Sequence, residues 1–266
     1  DNPPWAGGFT WSKDKDGRDW IAVSCEGEGA RIWWPNKDQI TAEGDSVRMV
    51  YTVPSNMVAV GNGKLRSVNT ENGKSRYEWF VSNPINNYNI SVQIGNYVAV
   101  QDTFMKDNTI HYMNHYVLDY NSELASNYFT KSKEVIRFYE KYFGDYQWYE
   151  DGYKLIEVPY LGMEHQSAVT YGNGFSIYNG VRSKSWPMYG VIDPLIIHET
   201  GHEWFGNSVT ASDPTHIWIH EGLQVYSEAI YFEDKFDSYE VGVHYLNSIK
   251  NRIVNKIPIV GNENEN

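Results

Sequence analysis

Five consecutive residues, His198-Glu199-Thr200-Gly201-His202, constrain this chain more than any other stretch. On a helix, side chains four apart lie on one face, so His198 and His202 can turn two imidazoles toward one point. A third protein ligand there makes a metal site with an open fourth position. Glu221 follows after 18 intervening residues and is the natural third ligand. The set His, His, Glu suits zinc, which lowers the pKa of a bound water toward ~7 and polarises a carbonyl. Glu199 stands beside the first histidine, close enough to reach that water without binding the ion. It is then the general base, taking the water's proton and later passing it to a leaving amine.

Short patterns recur by chance, so the flanks matter. Asp193-Pro194 reads as an N-cap with proline in the first turn, and Leu195-Ile196-Ile197 and Trp204-Phe205 supply the apolar body of a buried helix. Ile217–Phe236 reads as a second helix, with Ile217, Trp218, Leu223, Val225, Tyr226, Ile230 and Phe232 as core candidates.

The remaining features bound the answer. A hydrophobic content of 41% and an aromatic content of 15% are ample for a core. A net charge of −12 argues against nucleic acid and anionic membranes as partners. The single cysteine, Cys25, excludes an intrachain disulfide, and no apolar run approaches membrane-spanning length. The chain opens on Asp1 rather than Met, which reads as a processed or excised product; the compartment is not legible, and export or a cell-envelope location after signal removal fits such a start.

In chain order, the expected strands are Asp19–Cys25, Ala30–Trp34, Ser46–Val53, Met57–Val60, Tyr77–Val81, Ile90–Ile94 and Tyr97–Phe104, with Asn62-Gly63 and Asn72-Gly73 as hairpin turns. Residues 1–105 therefore read as an antiparallel β-sandwich domain, opening without a clear element over Asp1–Trp11. Ile110–Val117 is one more strand, entering a second, mixed domain over 106–266. There a helical stripe of Leu124, Tyr128, Val135, Ile136, Phe138 and Tyr139 runs from about Asn121 to Phe143-Gly144. Lys154–Val158 reads as a strand, Tyr171–Gly180 as a loop, and a last helix starts near Asp237-Ser238 and runs to about Ile253. The fold class is α+β.

The text around the metal motif resembles the M1 zinc aminopeptidases, a gluzincin family whose relatives include leukotriene A4 hydrolase. Trp204-Phe205-Gly206-Asn207 follows the second histidine, and Trp218-Ile219-His220-Glu221-Gly222 surrounds the third ligand. Upstream, Leu161-Gly162-Met163-Glu164-His165 is similar to the family's Gly-Gly-Met-Glu-Asn-like exopeptidase motif, with Leu for the first Gly and His for the Asn. Ser24-Cys25-Glu26-Gly27-Glu28-Gly29-Ala30-Arg31 resembles the segment that lends an acidic or amide side chain to the active site. The resemblance implies one zinc held by His198, His202 and Glu221, and Glu199 as base. It further implies peptide substrates with a free N-terminus, held at the α-amine by Glu164 and Glu26, with Gly162 and Met163 lining the same site. It implies a thermolysin-like catalytic domain over 106–266. It also implies a fragment that lacks the start of the family's first domain, its oxyanion tyrosine and its C-terminal helical part.

Each role has a plainer alternative. Glu164 is otherwise a turn carboxylate, and Glu26 an exposed strand-end one. Glu228 lies two helical turns after Glu221 on the same face; it can accept the outer N–H of a metal-bound histidine, or be a partly solvated helix carboxylate. His165 reads as structural, His216 and His220 as lying off the metal face, and His111, His115 and His244 have no partner legible in the sequence. Tyr226, Tyr231, Tyr239 and Tyr245 read as core or surface aromatics. The rival to a zinc aminopeptidase is a non-catalytic peptide-binding or scaffold relative, against which the intact Glu199 argues. Nothing specific in the sequence supports an added epoxide-hydrolase activity.

Overall fold

In the computed structural model the described residues are 7–26, 30–175, 192–254, 256 and 258–260. Three antiparallel sheets come first. Strands β1 (Gly8–Lys13), β2 (Asp19–Ser24), β5 (Val58–Gly61) and β9 (Val92–Gly95) form a four-stranded sheet in the order β1-β2-β9-β5. Strands β4 (Val47–Pro54), β6 (Lys64–Glu71) and β7 (Lys74–Val81) form a three-stranded one, ordered β4-β7-β6. The short strands β3 (Glu43–Gly44) and β8 (Ile85–Asn86) pair with each other. On β7 the period-2 alternation is clear: Tyr77, Trp79 and Val81 point into a core shared with Ala22, Val23, Met49 and Val53.

Four sequence expectations need correction in this half. Ala30–Trp34 is not a strand: Ala30–Trp33 is a short helix, α1, with Trp33 packed edge-on against Phe9. Its aromatic composition suggested a strand, and tertiary packing overrode that propensity. The opening segment holds β1, paired along its length with β2. Strand β6 carried no signal because it is an edge, exposed on nearly every residue. Asn72-Gly73, with φ of 50° and 73°, does turn β6 into β7, but Asn62-Gly63 is no hairpin, since β5 pairs with β9 and β6 with β7. Asn62 is fully buried and donates to the Asn89 and Gln166 carbonyls.

The second half is built on a mixed five-stranded sheet, ordered β10-β11-β12-β14-β13, from β10 (Tyr97–Lys106), β11 (Thr109–Leu118), β12 (Leu155–Glu157), β13 (Gly162–Met163) and β14 (Val169–Tyr171). Strands β11, β12 and β14 are parallel; β10 and β13 run against their neighbours. Helices α2 (Ser122–Phe129), α3 (Ser132–Phe143), α4 (Pro194–Gly201), α5 (Glu221–Phe236) and α6 (Tyr239–Ile249) accompany it. One core joins Val135, Ile136, Phe138 and Tyr139 of α3 to Leu155, Ile196, Ile197, Trp204, Tyr231 and Phe232.

The helix expected over 121–143 is two, α2 and α3, and Leu124 is exposed. The segment Ile217–Phe236 is also divided: Pro214–Ile219 is a 3₁₀ turn with His216 outside helical geometry, and α5 begins at Glu221. Leu223 and Tyr226 face solvent, while Gln224, Ser227 and Glu228 are buried. Of the expected loop at Tyr171–Gly180, Tyr171 belongs to β14 and everything beyond Phe175 lies outside the described residues, as do Gly27, Glu28 and Gly29.

His115 on β11 has a structural task. Its Nδ1 accepts the Leu155 N–H at 2.9 Å, at the start of the parallel β11–β12 pairing. Burial holds its pKa down to about 3, from 6.5. The unfolded chain therefore binds more protons between those values, so stability rises with pH from 3 to 6.5 and is lost on acidification. His115→Asn keeps an acceptor that does not titrate. Its midpoint in urea should lie below the parent's at pH 7, with the gap narrowing toward pH 4; parallel pH profiles would remove His115 from this role.

Candidate active site

Helix α4 is fixed at its start by Asp193. Its Oδ1 accepts from Leu195 N at 3.0 Å, while Oδ2 takes the Tyr171 hydroxyl at 2.7 Å and an Asn173 amide at 2.9 Å. From that anchor the helix carries His198, Glu199 and His202 into the molecule. The His202 Nδ1–H donates to the Phe205 carbonyl at 2.8 Å, because a carbonyl can only accept. His198 Nδ1 donates to Glu228 Oε1 at 2.7 Å. With both rings neutral, as zinc ligands are, the Nε2 atoms carry lone pairs, and they face each other at 3.2 Å. Glu221, at the start of α5, brings Oε2 to 3.6 Å from His198 Nε2 and Oε1 to 3.6 Å from His202 Nε2.

Two lone pairs so close repel unless a cation lies between them. A tetrahedral zinc with bonds of about 2.0–2.1 Å has ligand–ligand edges of about 3.3–3.4 Å, near the separations seen here. The outer nitrogens are already engaged, as metal-bound imidazoles require. The residues therefore fit a zinc ion. The protonation tendencies agree: against burial, Glu228, Glu199 and Glu221 push His198 up to about 9, whereas burial takes His202 down to about 4. The pair asks for positive charge at its centre.

Around the three ligands stand more carboxylates. Atoms of Glu164, Glu199 and His202 lie within 4.8 Å of one another, as do atoms of Glu26, Glu164 and Glu221. Glu199 is buried, and burial pushes it up to about 8, with Glu221 and Glu26 acting the same way; a divalent cation at the ligands opposes that rise. Glu164 is 3% exposed, its Oε1 is buried with no hydrogen-bond partner, and burial followed by Glu26, Glu199 and Glu221 raises it well above the ordinary carboxylate range. Burial and Glu221 take Glu26 up to about 7. A buried acceptor without a donor, among like charges, is the signature of a place for a cationic group.

Gly162 lies against Glu199: a methyl there would meet Oε1 at 2.5 Å. Met163 buries its side chain in the core it shares with Val23 and Trp79. His165 Nε2–H donates to the Val23 carbonyl at 3.2 Å, tying the Glu164 loop to the strand that precedes Glu26. His220 is structural, accepting from Ala211 N at 2.9 Å, and His111 packs on Tyr149 with ring centroids 4.2 Å apart.

Three contributors were not anticipated. Glu203 accepts from Ser167 N at 2.7 Å and Asn207 Nδ2 at 3.2 Å; Asn207 also donates to the Glu164 carbonyl at 2.8 Å. Together they hold the Glu164 loop against α4. The one available signal is position: Glu203 directly follows the metal motif, and Asn207 lies five residues after His202. The third, Tyr245, donates to Glu228 Oε2.

Comparison with known proteins follows the same line. A family model described as the Peptidase family M1 domain matches residues 127–257. Endoplasmic reticulum aminopeptidase 2 of Homo sapiens is 31% identical over 140 residues, 48% of this chain and 14% of that protein. Leucyl aminopeptidase of Saccharolobus solfataricus is 23% identical over 248 residues, 89% of this chain and 29% of that protein. The crystal structure of a mutant M1 zinc metallopeptidase from Deinococcus radiodurans superposes with a TM-score of 0.77 at 17% identity, over 98% of this chain and 56% of that one, a likeness of fold. The chain thus spans less than a third of these curated relatives.

Proposed function

We propose that this chain, whose residues 127–257 match the Peptidase family M1 domain, carries the active site of a zinc aminopeptidase acting on peptides with a free N-terminus. The observation that carries the proposal is the pairing of a three-ligand cluster with a buried Glu164, a few ångströms away, whose Oε1 has no hydrogen-bond partner. His198, His202 and Glu221 would hold the ion. Zinc bound there supplies a Lewis acid that polarises the scissile carbonyl and acidifies a water. Glu199 takes the water's proton and returns it to the leaving amine. Glu164, with Glu26, receives the α-ammonium, a charge-assisted contact that fixes which peptide bond reaches the ion. Strand β13 is a sheet edge, so the backbone at Gly162 and Met163 can pair with an extended substrate. Glu228 orients His198.

Two further readings belong here. The three antiparallel sheets fit an N-terminal β-sandwich, and the five-stranded sheet with α3 to α6 fits a thermolysin-like domain. The division near residue 105 is a proposal of the same kind, and the β10–β11 hairpin spans that point. Among the described residues no helix is long and apolar enough to cross a membrane.

Elemental mass spectrometry on chain purified without added metal should find one zinc per chain. No zinc, even after adding it back, would sink the reading. In the enzyme that contains this chain, Glu164→Ala should raise KM for free-amine peptides by about 10–100-fold, the loss expected for a buried charge-assisted contact. N-blocked peptides should be little affected; equal losses on both would remove Glu164 from the amine site.

A further inference from the structure

We propose that Tyr245 is a positioning residue for the metal-binding His198, acting through Glu228. This rests on the zinc reading above.

Glu228 is fully buried and uses both carboxylate oxygens: Oε1 accepts from His198 Nδ1 at 2.7 Å, and Oε2 accepts from the Tyr245 hydroxyl. The arrangement joins three elements, α4, α5 and α6. Tyr245 is itself fully buried, its ring set against Phe232 with centroids 5.0 Å apart. One turn earlier Gly242 brings α6 close to α5; a methyl there would come to 3.1 Å from the Ala229 carbonyl oxygen. The close approach is what lets a phenol on α6 reach a carboxylate on α5.

A buried carboxylate held through Oε1 alone could turn about its last torsion, and a donor at Oε2 opposes that turn. The phenol fixes the carboxylate plane and satisfies that oxygen. The carboxylate in turn fixes the histidine's tautomer and ring direction, so that Nε2 presents its lone pair toward His202 and Glu221. Outer partners of metal ligands typically contribute about 10–100-fold in metal affinity. Tyr245 is one bond further out, so its share should fall at the lower end.

The test is zinc affinity of the chain by chelator competition, with the cobalt(II) spectrum as a second readout and the melting temperature of metal-stripped chain as control. Tyr245→Phe keeps the ring and removes the hydroxyl. It should weaken zinc binding about tenfold and shift the cobalt bands. In a Glu228→Gln background the same change should cost little more. A parent chain that binds no zinc overturns the zinc reading itself. A parent that binds, with Tyr245→Phe matching it in affinity and spectrum, overturns the relay, as does an equal loss in both backgrounds. Should Tyr245→Phe not fold, fluorotyrosine at position 245 keeps the ring and alters the donor strength; an unmoved cobalt spectrum then overturns it.

Discussion

Glu199→Gln should retain one zinc per chain and lose about 10²–10⁴-fold in peptide turnover, the span attributed to a positioned general base. The two halves of this expectation come from separate observations. The three convergent ligand atoms belong to His198, His202 and Glu221, so changing Glu199 leaves that set intact. The amide has the shape of the carboxylate, so it fits the space that the missing Cβ of Gly162 leaves. What it lacks is a site to receive a proton. Steady-state rates on a free-amine peptide, measured with the whole enzyme beside elemental zinc, check both halves. Surviving turnover would mean that another group takes the proton, and lost zinc would mean that Glu199 belongs to the ligand set.

The meeting of His198 and His202 is legible in the sequence because its geometry is local. A helix alone brings His198 to His202, and Asp193-Pro194 announces where that helix begins; the structure has both, with Asp193 capping Leu195. The α5 surface was misjudged for a physical reason. Hydrophobic periodicity expects apolar side chains inside, and Ala229, Tyr231 and Phe232 obey it, yet the first half of α5 buries Gln224, Ser227 and Glu228 while Leu223 and Tyr226 point outward. Those polar groups are not exceptions to burial: Gln224 and Ser227 hold Tyr139, and Glu228 holds His198. A satisfied polar group can be buried at modest cost, and its partners come from other elements, which no pattern within one helix reveals.

The same applies to contacts that span the sequence. Lys154 is buried and donates to the Gly63 and Ser167 carbonyls, and Asn62 reaches Gln166. Both join the antiparallel sheets to the loop that bears Glu164. Their partners lie far along the chain, so neither residue's neighbours in sequence hint at the task.

Gly201→Ala sets two effects of opposite sign against each other. Helix propensity favours alanine by about 0.5–1 kcal/mol in a helix interior and by less at Gly201, the last residue of α4. Packing forbids it here: the new methyl would lie 2.1 Å from the Tyr139 hydroxyl oxygen and 2.2 Å from Gln224 Oε1. Neither neighbour is free to leave. Tyr139 is fully buried, bonded to Ser227 at 2.7 Å and stacked on Trp204 with centroids 5.0 Å apart. The strain therefore falls on α4, which must shift away from α5. Overpacking of this kind costs about 1–3 kcal/mol and here should reach the upper end, so the net change is a loss of stability. The shift also separates His198 and His202 on α4 from Glu221 and Glu228 on α5, so zinc affinity should fall by about tenfold or more. Gly222→Ala is the matched control, since its nearest contact would be Trp218 Cβ at an ordinary 3.6 Å, and it should leave stability unchanged or slightly raised. Thermal melting and chelator competition on both variants decide the matter: if Gly201→Ala proves as stable as Gly222→Ala, then α3, α4 and α5 do not meet at this glycine as closely as the distances state.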